Sequence, residues 1–135
     1  MNILQKDIEF NKFLINFIQL LNLEYENGSI ILVEGKKDTQ ALSSLGFIGK
    51  TIEYCNNNIS KIERKTKSYK KLIVLFDYDA EGRRLTSKIL ATFHRTSIIE
   101  LKYRRNLSAA SNGGIKRIEE LSKLSLYPLL TENFI

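Results

Sequence analysis

The sequence predicts an α/β domain in which about four parallel strands carry helices on both faces, with an extra helix at the N-terminus. Two strongly apolar segments, "SIILVEG" from Ser29 and "KLIVLF" from Lys71, have the continuous aliphatic character of strands buried on both faces. Segments with a helical spacing of apolar residues alternate with the strands, and this alternation is typical of a parallel sheet. A chain of 135 residues is long enough for one such domain.

The N-terminal segment, residues 1–28, is predicted to form an amphipathic helix. Apolar residues recur at the i, i+3, i+4, i+7 spacing from Phe10 to Leu21. The Asn27-Gly28 pair then breaks the pattern. This helix could dock on the core of its own chain or on a second copy, so a homodimer through this helix is one expectation.

The rest of the chain repeats a strand–helix rhythm. A helix is expected from Asp38, as its N-cap, to Gly46, and "KTIEY" then forms a short strand. A basic helix over 59–67 and a helix over 80–93 flank the strand "KLIVLF", and "TSIIELKY" forms the last strand. A closing helix is expected from about residue 114 to 123. The core thus spans 29–102, and 103–135 form a helical extension of the same domain.

Composition and charge narrow the choice of partner. The chain carries 21 basic and 15 acidic residues, a net charge of +6, and the basic excess lies after residue 29. The segment from Lys61 to Lys71 contains six basic residues and only one acidic residue, Glu63. This excess of positive charge suits a polyanion such as RNA or DNA, although a solvated basic face is the alternative. The single cysteine, Cys55, excludes an internal disulfide. No apolar run has the ~20 residues of a membrane span and no signal peptide is present, so we expect a cytoplasmic protein without a membrane partner.

Acidic residues follow the two strongest strands. Glu34 ends the first, and Asp77 and Asp79 end the second. Ligands of open parallel sheets bind beyond the carboxyl ends of the strands, so these carboxylates would meet at one edge if the two strands are neighbours. Mg²⁺, or Mn²⁺ in its place, would relieve their repulsion. A solvated turn is the alternative. A haloacid-dehalogenase-type phosphatase, which also has strand–Asp–x–Asp, fits less well because Glu81 stands where Thr or Val is wanted.

The pairing of "VEGKKD" with "FDYDAEG" resembles the Toprim domain over roughly residues 29–102. That domain is shared by type IA and type II topoisomerases, bacterial primases, some overcoming-lysogenisation-defect nucleases and ribonucleases that mature ribosomal RNA. The resemblance implies a Rossmann-like Toprim fold. It also implies that Glu34 is a general acid or base and shares the metal with Asp77 and Asp79, and that Gly35 and Gly82 are the glycines of the two loops.

The tail "KYRRNLSAASNGGIKRIEEL" is similar to that of the small single-domain Toprim proteins of archaea. A Mg²⁺-dependent nuclease acting on RNA or DNA is the function that this resemblance implies. The alternative is a nucleic-acid-binding Toprim module without catalysis of its own, which works in a larger RNA- or DNA-processing assembly. Five basic residues near the acidic edge or in the tail are candidates for contacts with nucleic acid: Lys36, Arg83, Arg84, Arg104 and Arg105.

Overall fold

The computed structural model describes residues 3–121 and shows three layers, with a four-stranded sheet between two layers of helices. The helices are α1 (Ile3–Glu26), α2 (Lys36–Ser44), α3 (Ile59–Thr66), α4 (Ala80–Phe93) and α5 (Lys102–Ala110). The strands are β1 (Ser29–Val33), β2 (Thr51–Glu53), β3 (Lys71–Val74) and β4 (Ile98–Glu100). The predicted α/β class is therefore confirmed.

All four strands are parallel, in the order β2-β1-β3-β4. The two strongly apolar strands, β1 and β3, lie side by side at the centre, with Ile31 opposite Ile73 and Leu32 opposite Val74. Leu75, just after β3, still donates to the carbonyl of Leu32 at 2.9 Å. The carboxyl ends of the two strands therefore meet, as the placement of the acidic residues requires.

Alternate residues of the central strands enter two separate cores. Ile31 and Ile73 pack with residues of α1, α2 and α5, whereas Leu32 and Val74 pack with residues of α3 and α4. Every residue of β1 is buried, because the strand is covered on both sides. This explains why β1 and β3 are continuous apolar runs with no polar alternation.

Helix α1 confirms the predicted N-terminal helix and docks on the core of its own chain. Its buried stripe consists of Leu14, Phe17, Ile18 and Leu21. Since this stripe is used within the chain, the structure does not support the expected homodimer through this helix. In the part of the chain that the structure describes, no helix combines the length and the apolarity that a membrane crossing needs.

The C-terminal third differs from the prediction. β4 ends at Glu100, and the residues expected to continue it begin α5 instead, because Tyr103 and Leu107 are one helical turn apart and both enter the core. Helix α5 ends before Asn112 and Gly113, which have φ angles of 52° and 77°. Instead of the helix expected from residue 114, residues 118–121 form a single 3₁₀ turn. Residues 122–135, which include the end of that expected helix, lie outside the described residues.

Candidate active site at the carboxyl edge of the sheet

Glu34 and Asp77 lie in contact where β1 and β3 end. The main-chain nitrogen of Asp77 donates a hydrogen bond of 2.7 Å to Oε2 of Glu34. Both side chains line a groove of about 390 Å³ together with Asp79. The structure thus brings together the three carboxylates that the sequence singled out.

Backbone groups orient the two aspartates. Asp79 is the N-cap of α4, and its Oδ1 accepts from the nitrogen of Gly82 at 2.7 Å. Oδ1 of Asp77 accepts from the nitrogen of Ile118 at 3.0 Å, so the segment after α5 also contributes to the site. Each aspartate is held through one oxygen by a main-chain donor, which fixes the direction of its carboxylate.

Gly82 is required by the close approach of α4 to the end of β3. A Cβ atom at this position would lie 1.8 Å from the carbonyl oxygen of Asp77 and 2.6 Å from its carbonyl carbon. Any side chain would therefore push the start of α4 away from the backbone that carries the aspartates. The glycine of "DYDAEG" is explained by packing, with no need for a special backbone conformation.

The three carboxylates place negative charge in a partly buried environment. Burial, together with the neighbouring charges of Asp77 and Asp79, raises the pKa of Glu34 to about 7. The hydrogen bond from the main chain of Asp77 opposes this rise, because it favours the ionised form. Among the described residues, the ion pairs involve none of these three carboxylates. Arg104 interacts electrostatically with Asp77 and Asp79, but it forms no direct ion pair with either.

Asp38 also lines this groove, although its place in the sequence predicted only a helix N-cap. The expectation that Asp38 is the N-cap of α2 is wrong, because the N-cap is Gly35, three residues earlier. Asp38 is the third residue of the helix, and its Oδ2 accepts from the nitrogen of Gly35 at 3.1 Å. Burial and the charge of Asp77 raise its pKa to about 6. The sequence signal for its place in the groove was its position in the first turn of the helix that follows Glu34.

Four of the five predicted basic contacts are exposed around the acidic edge. Lys36 lines the groove itself, whereas Arg83 and Arg105 line a neighbouring cavity. Arg84 forms an exposed ion pair with Glu81 at 2.7 Å. The groove also includes Lys37 and Arg117, which were not among the predicted contacts.

Arg104 does not lie on the surface, contrary to the prediction that it contacts nucleic acid. It is 3% exposed, and its Nε donates to the carbonyl of Phe76 at 2.9 Å. Its Nη2 donates to the carbonyls of Ile115 and Lys116, both at 2.8 Å. The guanidinium also stacks on the ring of Tyr78 at 4.3 Å. Arg104 therefore ties the segment after α5 to the end of β3.

The donor set fits a hard divalent cation. All the acidic groups of the groove offer oxygen, which Mg²⁺ and Mn²⁺ prefer, and a cation would relieve the repulsion that raises the pKa of Glu34. Within residues 3–121, no group of three or more His, Cys, Asp or Glu side chains is arranged as a complete metal site. Mg²⁺ usually takes only one or two carboxylates and keeps several waters, so Asp77 and Asp79 would be sufficient.

Comparisons with known proteins show what the chain is similar to. The chain is similar to a UPF0292 protein of Methanocaldococcus jannaschii, with 36% identity over 121 residues, 87% of this chain and 93% of the relative. A UPF0292 protein of Methanosarcina acetivorans is 31% identical, also over 121 residues, 85% of this chain and 84% of the relative. A solved structure of a protein from Aquifex aeolicus matches with a TM-score of 0.67 and 28% identity, covering 78% of this chain and 94% of the other.

A family model described as the Toprim domain matches residues 29–110, well over half of the chain. The resemblance carried by "VEGKKD" and "FDYDAEG" is thereby confirmed, and the match extends through α5. Toprim domains generally act with a metal ion and on nucleic acid. The chain belongs to the Toprim family.

Proposed function

We propose that this protein is a small Mg²⁺-dependent nuclease that cleaves phosphodiester bonds in RNA or DNA. The observation that carries the proposal is the contact between Glu34 and Asp77 in a groove that also holds Asp79. Phosphodiester cleavage requires positioned charge and a group that moves a proton, and this groove offers both kinds of residue. Mn²⁺ is expected to substitute for Mg²⁺.

The three carboxylates would have two different roles, metal binding and proton transfer. Asp77 and Asp79 would hold the metal, which when bound neutralises charge on the phosphate oxygens. Glu34 is partly buried beside Asp77 and, without a metal, has a pKa raised to about 7, mainly by burial. A carboxyl in such a position is suited to proton transfer. It would take a proton from the attacking oxygen or give one to the leaving oxygen. The exposed amines of Lys36 and Lys37 lie in the same groove, where they would contact the phosphate backbone.

A basic surface beyond β2 would hold the rest of the substrate. Three exposed basic side chains of α3, Lys61, Arg64 and Lys65, line a groove of about 500 Å³ with Asn56 and Asn57. Basic side chains that contact several phosphates supply affinity that does not depend on the base sequence. This distribution supports nucleic acid over a small phosphorylated substrate.

The test is a cleavage assay of the purified protein on single- and double-stranded RNA and DNA, with Mg²⁺ or with EDTA. We expect cleavage only with the metal, and loss of about 10²–10⁴ in rate for Glu34→Gln, the usual cost of removing an acid–base group. Glu26→Gln, an exposed carboxylate at the end of α1, is the matched control and should cleave like the wild type. Cleavage that survives Glu34→Gln undiminished would show that Glu34 is not the acid or base.

A binding module without catalysis is the second candidate. The observation that favours it is the groove of α3, which would attract phosphates whether or not the carboxylates perform chemistry. Under this alternative the protein binds RNA or DNA within a larger assembly, and the wild type has no intrinsic turnover. Binding without cleavage on every substrate, with Mg²⁺ or Mn²⁺ present, would decide for it.

A further inference from the structure

A second cavity, of about 400 Å³, lies next to Asp77 at the carboxyl end of β3. Val74, Phe76 and Leu101 form its apolar part, and Thr86 and Ser87 of α4 add two hydroxyl groups. Its volume falls within the range of small-molecule sites, ~300–1,000 Å³. An apolar cavity with a few polar groups is typical of a small-molecule site.

The cavity carries positive charge. Arg83 and Arg105 line it and are exposed, so their guanidinium groups are available to a ligand. Arg104 also lines it, and among the described residues that line it Asp77 is the one acid. The two exposed arginines favour a ligand that combines an apolar ring system with an anionic group.

The buried Arg104 forms a fixed wall of the cavity. Arg104 is almost completely buried, and its Nε and Nη2 are used by the carbonyls of Phe76, Ile115 and Lys116. Its Nη1 is buried without a hydrogen-bond partner among the described residues. Because this nitrogen is buried and the guanidinium stacks on Tyr78, Arg104 fixes the wall of the cavity, and the exposed groups of Arg83 and Arg105 are the ones that a ligand can reach.

We propose that this cavity binds the base of one unstacked nucleotide, whose phosphate lies on Arg83 or Arg105. The inference rests on the proposed function and specifies its substrate. Because Asp77 borders both the cavity and the acidic groove, a nucleotide seated here is adjacent to the phosphate in the groove. A base can enter such a cavity only when it is out of a duplex, so the preferred substrate is single-stranded or unpaired.

The inference can be tested without cleavage. We would titrate the ¹⁵N-labelled full chain with 5′-mononucleotides in EDTA, and compare them with the matching nucleosides and with inorganic phosphate. The expected result is that shifts centre on amides of residues 74–87 and 101–105, and that a mononucleotide binds at least about tenfold more tightly than phosphate, which corresponds to ~1.4 kcal/mol. Equal affinity for phosphate and mononucleotide, or shifts confined to other surfaces, would overturn the proposal.

Two substitutions locate the binding. Ser87→Phe should fill the cavity and weaken mononucleotide binding by about tenfold or more. Thr92→Phe, at an exposed position of the same helix outside the cavity, should leave it unchanged. Arg105→Gln should weaken the mononucleotide but not the nucleoside. Wild-type affinity in both Ser87→Phe and Arg105→Gln would overturn the proposal.

The outcome is separable from that of the proposed function. If mononucleotides do not bind but cleavage still depends on Glu34, the proposed base-binding cavity is refuted and the proposed nuclease function is not. Retained binding that responds to Ser87→Phe, with no cleavage of any substrate, supports the cavity and counts against the nuclease.

Discussion

The main-chain nitrogen of Asp77 donates to Oε2 of Glu34 at 2.7 Å, across 43 residues of sequence. This bond is possible because β1 and β3 are adjacent and parallel, with their carboxyl ends at the same edge of the sheet. The sheet register therefore fixes the distance between the proposed acid–base residue and a proposed metal ligand. It also holds Glu34 in a partly buried position where its ionisation is unfavourable.

The stability of the protein should fall as the pH rises from about 4.5 to about 7. Since the fold raises the pKa of Glu34 from 4.5 to about 7, stability is fully present below pH 4.5 and is lost as the carboxyl ionises. We expect the loss to be roughly 1–2 kcal/mol, allowing for the solvent that screens the half-buried carboxyl. The melting temperature, measured between about pH 4.5 and pH 8 in EDTA, checks this expectation.

Glu34→Gln isolates the contribution of this carboxyl. The variant should lose less stability with rising pH than the wild type, and Glu26→Gln should behave like the wild type. Some pH dependence should remain, because Asp38 has a pKa raised to about 6 and acts in the same direction. An unchanged pH dependence in Glu34→Gln would contradict the assignment.

The double variant Asp77→Asn/Asp79→Asn should lose divalent metal binding while it stays folded. Asn retains an oxygen that accepts from Ile118 and Gly82, and Asn is also a good N-cap, so the hydrogen bonds of both positions can persist. Calorimetric titration with Mn²⁺ should show modest affinity in the wild type and none in the variant. Glu9→Gln/Glu26→Gln, on exposed positions of α1, is the control of equal charge. Equal binding by all three proteins would refute the site.

Gly82→Ala should damage both stability and the site. Alanine has the higher helix propensity, so an isolated helix would gain about 1 kcal/mol. In the protein its Cβ would overlap the carbonyl of Asp77, and we expect a net loss of roughly 1–3 kcal/mol in urea unfolding. Thr92→Ala, exposed on the same helix, is the control. A Gly82→Ala variant that is more stable than the wild type would mean that α4 and β3 do not approach each other this closely.

Affinity for nucleic acid should depend on salt through the basic residues of α3. Replacing Lys61, Arg64, Lys65 and Lys67 by glutamine should flatten the plot of log affinity against log salt by about 0.7–0.9 for each phosphate that is no longer neutralised. The measurement is fluorescence anisotropy with labelled oligonucleotides in EDTA. Replacing Lys12, Lys50, Lys88 and Arg95 removes the same charge elsewhere, and should change the slope less. Equal slopes in the two variants would mean that binding follows net charge and not this surface.

Those parts of the fold that depend on a local sequence pattern could be predicted from the sequence. The apolar runs of β1 and β3 and the start and end of α4 are as predicted, because strand burial and capping leave clear local signals. The adjacency of β1 and β3 was needed to bring Glu34 and Asp77 together, and only the paired motifs of the family suggested it.

Interactions between distant parts of the chain could not be predicted. Arg104 resembles a surface charge in "KYRRN", since two adjacent arginines give no sign of which one is buried. The fold buries Arg104 and exposes Arg105 because Tyr103 and Leu107 set the face of α5 that meets the core. The irregular segment that supplies the nitrogen of Ile118 to Asp77 has no local pattern at all.

Arg104→Met should loosen the segment after α5 and thereby the proposed metal site. Methionine is of similar length but leaves the carbonyl of Phe76 without its buried donor, which costs roughly 1–3 kcal/mol. Arg104→Lys should be intermediate, because one ammonium group cannot reach the carbonyls of Phe76, Ile115 and Lys116 in the geometry of a guanidinium. Urea unfolding gives the stability, and hydrogen exchange at the amide of Ile118 should be faster in both variants. Arg105→Met, exposed at the next position of α5, should change neither quantity. If Arg104→Met matches Arg105→Met in both measurements, Arg104 does not hold this segment against β3.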